Sequence, residues 1–211
     1  MPTKYLNNYK TIFWDFDGVI KESLEIKSDA FEQLFRSFGE NISKKIRFHH
    51  ERNGGISRFD KLPIYIKWSG QKPTKKNIQK YEEKFSCLVK QKVINSDWVP
   101  GVVDYLSSNY KIQNFFLITA TPQNEIEEII KKLKIKHFFK KVIGSPIRKD
   151  KAIKSIIIKN PSLFKKSIMV GDSISDYNAA DGNNMQFVLR RTLLNRELQT
   201  ELKCLMIDNF L

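Results

Sequence analysis

The side chains best suited to chemistry stand where apolar runs stop. Asp15 and Asp17 follow Thr11-Ile12-Phe13-Trp14, and Asp172 follows Ser167-Ile168-Met169-Val170-Gly171, with Asp176 four residues on. Thr119 ends the run Asn114 to Thr119, and Lys149, with Lys151 close by, follows Lys141-Val142-Ile143-Gly144. Carboxylates gathered without compensation resist joint ionisation. A hard divalent cation relieves that repulsion, and Mg²⁺ takes one or two carboxylates together with water and phosphate oxygens. Asp15 and Asp172 are the expected direct ligands, with Asp17 supplying a third through its backbone carbonyl. A carboxylate can also attack phosphorus to form an aspartyl-phosphate. Asp15 is placed for that step, and Asp17 for exchanging a proton with the leaving alcohol and then with water. Thr119 can hydrogen-bond a phosphate oxygen, and a lysine can offset charge on the transferring group.

These residues need a scaffold that brings strand ends together. The aromatic and β-branched runs read as buried strands, with a further one over Met185 to Leu189. Helical patterns alternate with them: one precedes the second strand, one opens at Thr121-Pro122 with Thr121 as N-cap, and one covers Ala152 to Lys159. Acids early and lysines late in Glu125 to Leu133 suit the helix dipole. Alternation of this kind predicts an α/β fold, a doubly wound parallel sheet with helices on both faces. In such sheets ligands bind outside the carboxyl ends of the strands, where the residues above would converge. From about residue 23 to 94 the texture is helical throughout, with Ala30, Leu34, Phe35 and Phe38 at helical spacing and Thr74 as an N-cap. The expected division is a core of residues 1–22 and 95–211, interrupted by an all-helical domain over 23–94.

Asp15-Phe16-Asp17-Gly18-Val19-Ile20, Thr119, Lys149 and Gly171-Asp172-Ser173-Ile174-Ser175-Asp176, in that order, resemble the four motifs of the haloacid dehalogenase superfamily. The helical block falls where that family inserts a helical cap. The resemblance implies a Rossmann-like core, Mg²⁺ and an aspartyl-phosphate intermediate. A second acid at Asp17 is what its phosphatases and phosphomutases carry. Members similar to phosphoglycolate phosphatase and β-phosphoglucomutase are the nearest in pattern. Glu22-Ser23 stands where such phosphatases often have Asp-Ser, a departure that touches cap closure more than chemistry. Lys149 fits the register of the following helix better than Lys151, which stays an alternative.

Gly18 admits close approach of the backbone, Ala120 neighbours the expected phosphate site, and Ser173 and Asp176 read as supporting residues, Asp176 positioning the lysine while starting a helix. Ser173 and Ser175 lack the paired histidine of a nucleophile. In the helical block, Arg52, Asn53, Ser57, Arg58 and Lys61 surround a Gly-Gly pair and form the candidate substrate-selecting loop. His49 and His50 have no partner acids and read as surface or packing residues. Cys87 and Cys204 read as core or near-core thiols, and Trp14 and Trp98 as core.

Of 211 residues, 37 are Lys or Arg and 23 Asp or Glu, giving a net charge of +14. That balance raises a nucleic-acid reading. Yet lysines are scattered over helix faces, and no RNA-reading motif accompanies them. The excess is better read as a positive field that draws in anionic esters. Two isolated cysteines exclude a disulfide framework or a zinc site, and no apolar run is long enough to span a bilayer. The expectation is a soluble, cytoplasmic, Mg²⁺-dependent phosphatase for a small phosphorylated metabolite. The alternatives are a sugar phosphomutase of the same fold and, less well supported, a basic nucleic-acid-binding protein.

Overall fold

The computed structural model describes residues 3–211. Six parallel strands form one sheet in the order β3-β2-β1-β4-β5-β6, with β1 at Thr11–Trp14, β2 at Asn114–Pro122, β3 at Lys141–Ser145, β4 at Ser167–Gly171, β5 at Gln186–Arg190 and β6 at Leu205–Ile207. The lateral order of the strands reverses between β1 and β4, which run parallel and pair Trp14 with Val170. That is the point where open sheets leave a crevice.

Burial alternates along the strands as the pleat requires. Ile12, Trp14, Phe115, Leu117, Ile168 and Val170 belong to one core. Their neighbours Phe13, Phe116, Ile118 and Met169 belong to the other. Both faces are covered, so the strands read as continuous apolar runs. Helices α8 (Lys149–Lys159) and α9 (Ile174–Asp181) pack together on the second face, whereas α6 (Val102–Asn109) and α7 (Gln123–Lys132) contribute to the first core. A short α1 (Thr3–Leu6) precedes the sheet and α10 (Arg196–Glu201) follows β5.

Between β1 and α6 lie four helices and no strand: α2 (Leu24–Phe35), α3 (Glu40–Arg52), α4 (Arg58–Trp68) and α5 (Lys75–Asn95). Tyr81, Phe85, Val89 and Val93 recur every four residues along α5 and are buried. Phe31 of α2 meets Phe85 and Tyr65, and Phe35 stacks on Tyr81 at 4.8 Å. The expected cap of Thr74 forms, its hydroxyl accepting from the Asn77 N–H at 3.2 Å.

Some local expectations change. β2 continues to Pro122 and α7 starts at Gln123, so Thr121 is no N-cap. Its hydroxyl donates to Asp17 Oδ2 instead. The helix after β3 begins at Lys149, three residues early, and β6 is an additional short edge strand. Cys87 is exposed, because on α5 it faces away from the side defined by Phe85 and Val89. Among the described residues no helix is long and apolar enough to cross a membrane.

Ion pairs hold the helical insert against the sheet. Arg58 of α4 forks onto Glu125 of α7 at 2.6 and 2.9 Å, with both side chains buried and Ser86 of α5 completing the cluster. Lys90 meets Glu128 at 2.8 Å, Arg52 meets Glu197 at 3.1 Å, and Lys27 contacts Asp17. The exposed pairs contribute little, about 0–1 kcal/mol each. The buried fork differs, since removing one partner strands the other charge at a cost of about 3–5 kcal/mol. Glu125→Ala is therefore expected to lower unfolding free energy in urea by that amount, and the double replacement R58M/E125L by clearly less. Equal losses in the two variants would count against a stranded charge.

Candidate active site

Strand pairing positions the rim. Because Trp14 lies beside Val170 and Leu117, the chain leaves β1 at Asp15 next to Asp172, while Thr119 stands two residues further along β2. Gly18 has φ +73°, and a Cβ there would come within 2.7 Å of Asp172 Oδ2, so only glycine fits this turn beneath the second carboxylate. Asp176 lies in the first turn of α9. It forms a capping box with Ser173, accepting at Oδ2 from the Ser173 hydroxyl at 2.6 Å and its N–H at 3.2 Å.

Lys149, at the start of α8, reaches into the rim between two acids, 2.8 Å from Asp15 Oδ2 and 2.6 Å from Asp176 Oδ1. Lys151 points elsewhere, with its side chain 69% exposed. Despite burial, Asp15 and Asp176 hold the Lys149 ammonium above the ordinary lysine range. The Asp15 carboxyl is pushed up to about 7 by burial and by Asp176, against the pull of Lys149. Burial and Asp15 raise Asp172 well above the carboxylate range. Asp15, Asp172 and Asp176 offer oxygens within 4.8 Å of one another. Asp176 spends both of its oxygens on Lys149 and Ser173. Asp15 Oδ1 accepts from the Phe16 N–H at 2.7 Å. Asp172 has no donor on its carboxylate among the described residues, and its carbonyl accepts from Asn195 at 2.7 Å.

Asp17 belongs to a second cluster. It contacts Lys27 and accepts from Ser23 at 2.6 Å and Thr121 at 3.1 Å. Lys27 also donates to Thr121 at 2.9 Å. Burial works against ionisation of Asp17, but Lys27, Ser23 and Thr121 outweigh it and hold the carboxyl below its usual range. Lys27 and Thr121 escaped sequence reasoning. Position ten residues after Asp17 on an amphipathic helix was the one available signal for Lys27, and a lysine-rich chain hides it.

A cavity of about 60 Å³ lies between rim and insert, lined by Asp15, Asp17, Lys27, His50, Arg58 and Thr119, among others. Its volume is enough for a few water molecules. A wider cleft of about 550 Å³ opens beyond Thr119 and Ala120 toward Ser145 and Lys149. Of the insert loop, Arg58 faces the small cavity while paired to Glu125. Ser57 caps α4, accepting from the Phe59 N–H at 3.3 Å. Asn53 donates to the His49 carbonyl at 2.8 Å, and Arg52 pairs with Glu197. Lys61 is buried behind His50, which does line the cavity. Gly55, with φ +74°, brings the loop so near α9 that a Cβ would sit 2.2 Å from Ser173 Oγ.

The fold is shared with many solved proteins. A predicted phosphoglycolate phosphatase from Haemophilus somnus 129PT is 18% identical, with 96% of this chain and 95% of that one covered at a TM-score of 0.71. β-Phosphoglucomutase from Clostridium difficile is 20% identical over 96% and 92%, TM-score 0.73. CbbY from Rhodobacter sphaeroides, in complex with xylulose-(1,5)bisphosphate, is 14% identical over 96% and 95%, TM-score 0.72. No curated protein sequence matches the chain. The model of the haloacid dehalogenase-like hydrolases matches residues 12–189, a span that contains the whole rim and the helical insert, and the chain belongs to that family.

Proposed function

We propose that the protein is a Mg²⁺-dependent phosphatase that hydrolyses a small phosphomonoester through an aspartyl-phosphate on Asp15. The observation that carries the reading is the buried rim of Asp15, Asp172 and Asp176 around the single ammonium of Lys149. Asp17 is already offset by Lys27, so with its three acids ionised the rim would carry an excess of two negative charges. All available donors are oxygens, which suits a hard divalent ion. Asp15 and Asp172 would hold it, with the Asp17 carbonyl as a third donor. Bound there, Mg²⁺ would offset charge on the transferring phosphoryl group.

The chain's own residues divide the remaining work. An Asp15 oxygen attacks phosphorus and the bond to the leaving oxygen breaks. Asp17 gives that oxygen a proton, then takes one from the water that hydrolyses the acyl phosphate. The pull of Lys27 toward the ionised form favours the first exchange, in which Asp17 gives its proton up. Lys149 and Thr119 hold phosphate oxygens, and Asp176 positions Lys149. We read the insert, residues 24–95, as a cap that excludes water and limits the leaving group to what a small closed cavity admits. The same size limit favours a metabolite over a nucleic acid.

Asp15→Asn is expected to lower turnover of p-nitrophenyl phosphate by about a thousandfold or more with an unchanged circular dichroism spectrum. Substantial residual activity would remove the covalent route. With sugar monophosphates, free phosphate rather than an isomer is expected as product.

A second test needs no substrate. An unfolded aspartate titrates near 3.9, whereas folded Asp15 is raised to about 7 and Asp172 moves the same way. Between those values the folded state holds more protons than the unfolded one, so metal-free stability falls as pH rises through the window. Thermal unfolding in EDTA is expected to show a lower Tm at about pH 8 than at about pH 5, and Mg²⁺ to raise Tm mainly at the higher pH. Asp172→Asn should shrink both differences. A Tm indifferent to Mg²⁺ at either pH would argue against the metal.

A further inference from the structure

The insert carries a contact between two basic side chains, a buried lysine and a partly buried histidine, that the chemistry above does not use. Lys61 of α4 is 2% exposed, and its Nζ lies 3.0 Å from His50 Nδ1 and 3.5 Å from the His50 carbonyl. Among the described residues no carboxylate pairs with it. When protonated, Lys61 has hydrogens to give and no lone pair to accept with, which makes His50 Nδ1 the acceptor and puts the ring proton on Nε2. The His50 ring is fixed further by Phe31, whose centroid is 4.7 Å away. His50 lines the cavity that Asp15 and Asp17 also line. Its Nε2 has no protein partner among the described residues and is not a sealed, orphaned atom, and the ring borders both this cavity and a neighbouring groove along Asp172, Ser173 and Leu194. Burial, with Lys61 and Lys27, holds the imidazole well below its usual range and keeps it neutral.

We propose that His50, locked by Lys61 as the Nε2–H tautomer, donates a hydrogen bond to an acceptor oxygen of the leaving group. It thereby selects esters whose alcohol carries a hydroxyl or carboxylate near the ester oxygen. The proposal rests on the phosphatase reading for its substrate and on the pair's geometry for its donor. His50 is a binding residue; Lys61 is a positioning residue that acts through it. A site built around such a donor discriminates against leaving groups that cannot accept, because the buried N–H is then left unpaired.

Two measurements test it separately. At about pH 6.5, with Lys61 lowered to about 7 and still mostly protonated, ¹⁵N-histidine spectra assigned with His50→Gln are expected to show Nε2 protonated and Nδ1 bare. Lys61→Met should release the lock and return the ring to a mixture of the two neutral tautomers. A ring protonated on Nδ1 in the parent protein overturns the proposal whatever the enzyme does. In turnover, kcat/KM is compared between p-nitrophenyl phosphate and the best of 2-phosphoglycolate, glycerol 3-phosphate and glucose 1-phosphate. The ratio favouring the oxygen-bearing ester is expected to fall about tenfold or more in His50→Leu and to recover in His50→Gln, whose amide can replace the donor. An unchanged ratio, or a parent enzyme that accepts only the aryl ester, also overturns it. Absence of turnover on every ester refutes the phosphatase reading instead, and the tautomer then decides whether the donor exists.

Discussion

Burying carboxylates side by side is costly, and this molecule buries four of them at the ends of two adjacent strands. Each acid is managed by a different device. Lys149 threads between Asp15 and Asp176, and Asp176 is further neutralised by the capping box that starts α9. Asp17 is taken over by Lys27 from the insert. Asp172 alone keeps a carboxylate without a donor among the described residues. The unresolved repulsion is concentrated between Asp15 and Asp172, which is where a divalent cation does most to relieve it. Loop geometry obeys the same constraint, since Gly18 must pass under Asp172 without a side chain.

The sheet makes this arrangement possible. In the order β3-β2-β1-β4-β5-β6, the strands bearing Asp15 and Asp172 are neighbours although more than 150 residues separate them in sequence. Fully apolar strands covered on both faces keep their register, and register is what sets one carboxylate beside the other. The buried rim contrasts with the seam above it, where most of the insert's ion pairs are partly solvated.

Much of the rim was legible in sequence because a strand end is a local signal: Asp15, Asp172 and Thr119 stand where apolar runs stop, and Asp176 sits at a helix start. Lys149 was readable by register to within two residues. The insert side was not legible. Glu125 looked like an ordinary acid in the first turn of a helix, where the dipole favours it, and nothing local reveals that Arg58, 67 residues earlier, lies against it. Thr121 resembled an N-cap ahead of proline, until the strand ran on and turned its hydroxyl toward Asp17. His50 was passed over for want of a partner acid; its partner is a lysine. Of these contacts Arg58 to Glu125 joins insert to core, Thr121 to Asp17 joins two core strand ends, and His50 to Lys61 joins two helices of the insert; each depends on tertiary packing, and with 29 lysines in the chain no single one stands out.

The ion pairs across the seam share a polarity. Lys27, Arg52, Arg58 and Lys90 belong to the insert; Asp17, Glu197, Glu125 and Glu128 belong to the core. One lip is thus cationic and the other anionic. Two molecules caught with their seams open can satisfy these charges by exchanging inserts, each docking on the other's core, because that pairing repeats the native one. Insert against insert, or core against core, sets like charges face to face and is repelled. The charge distribution that matches insert to core within a molecule therefore also favours the exchanged pairing over any that sets like charges together.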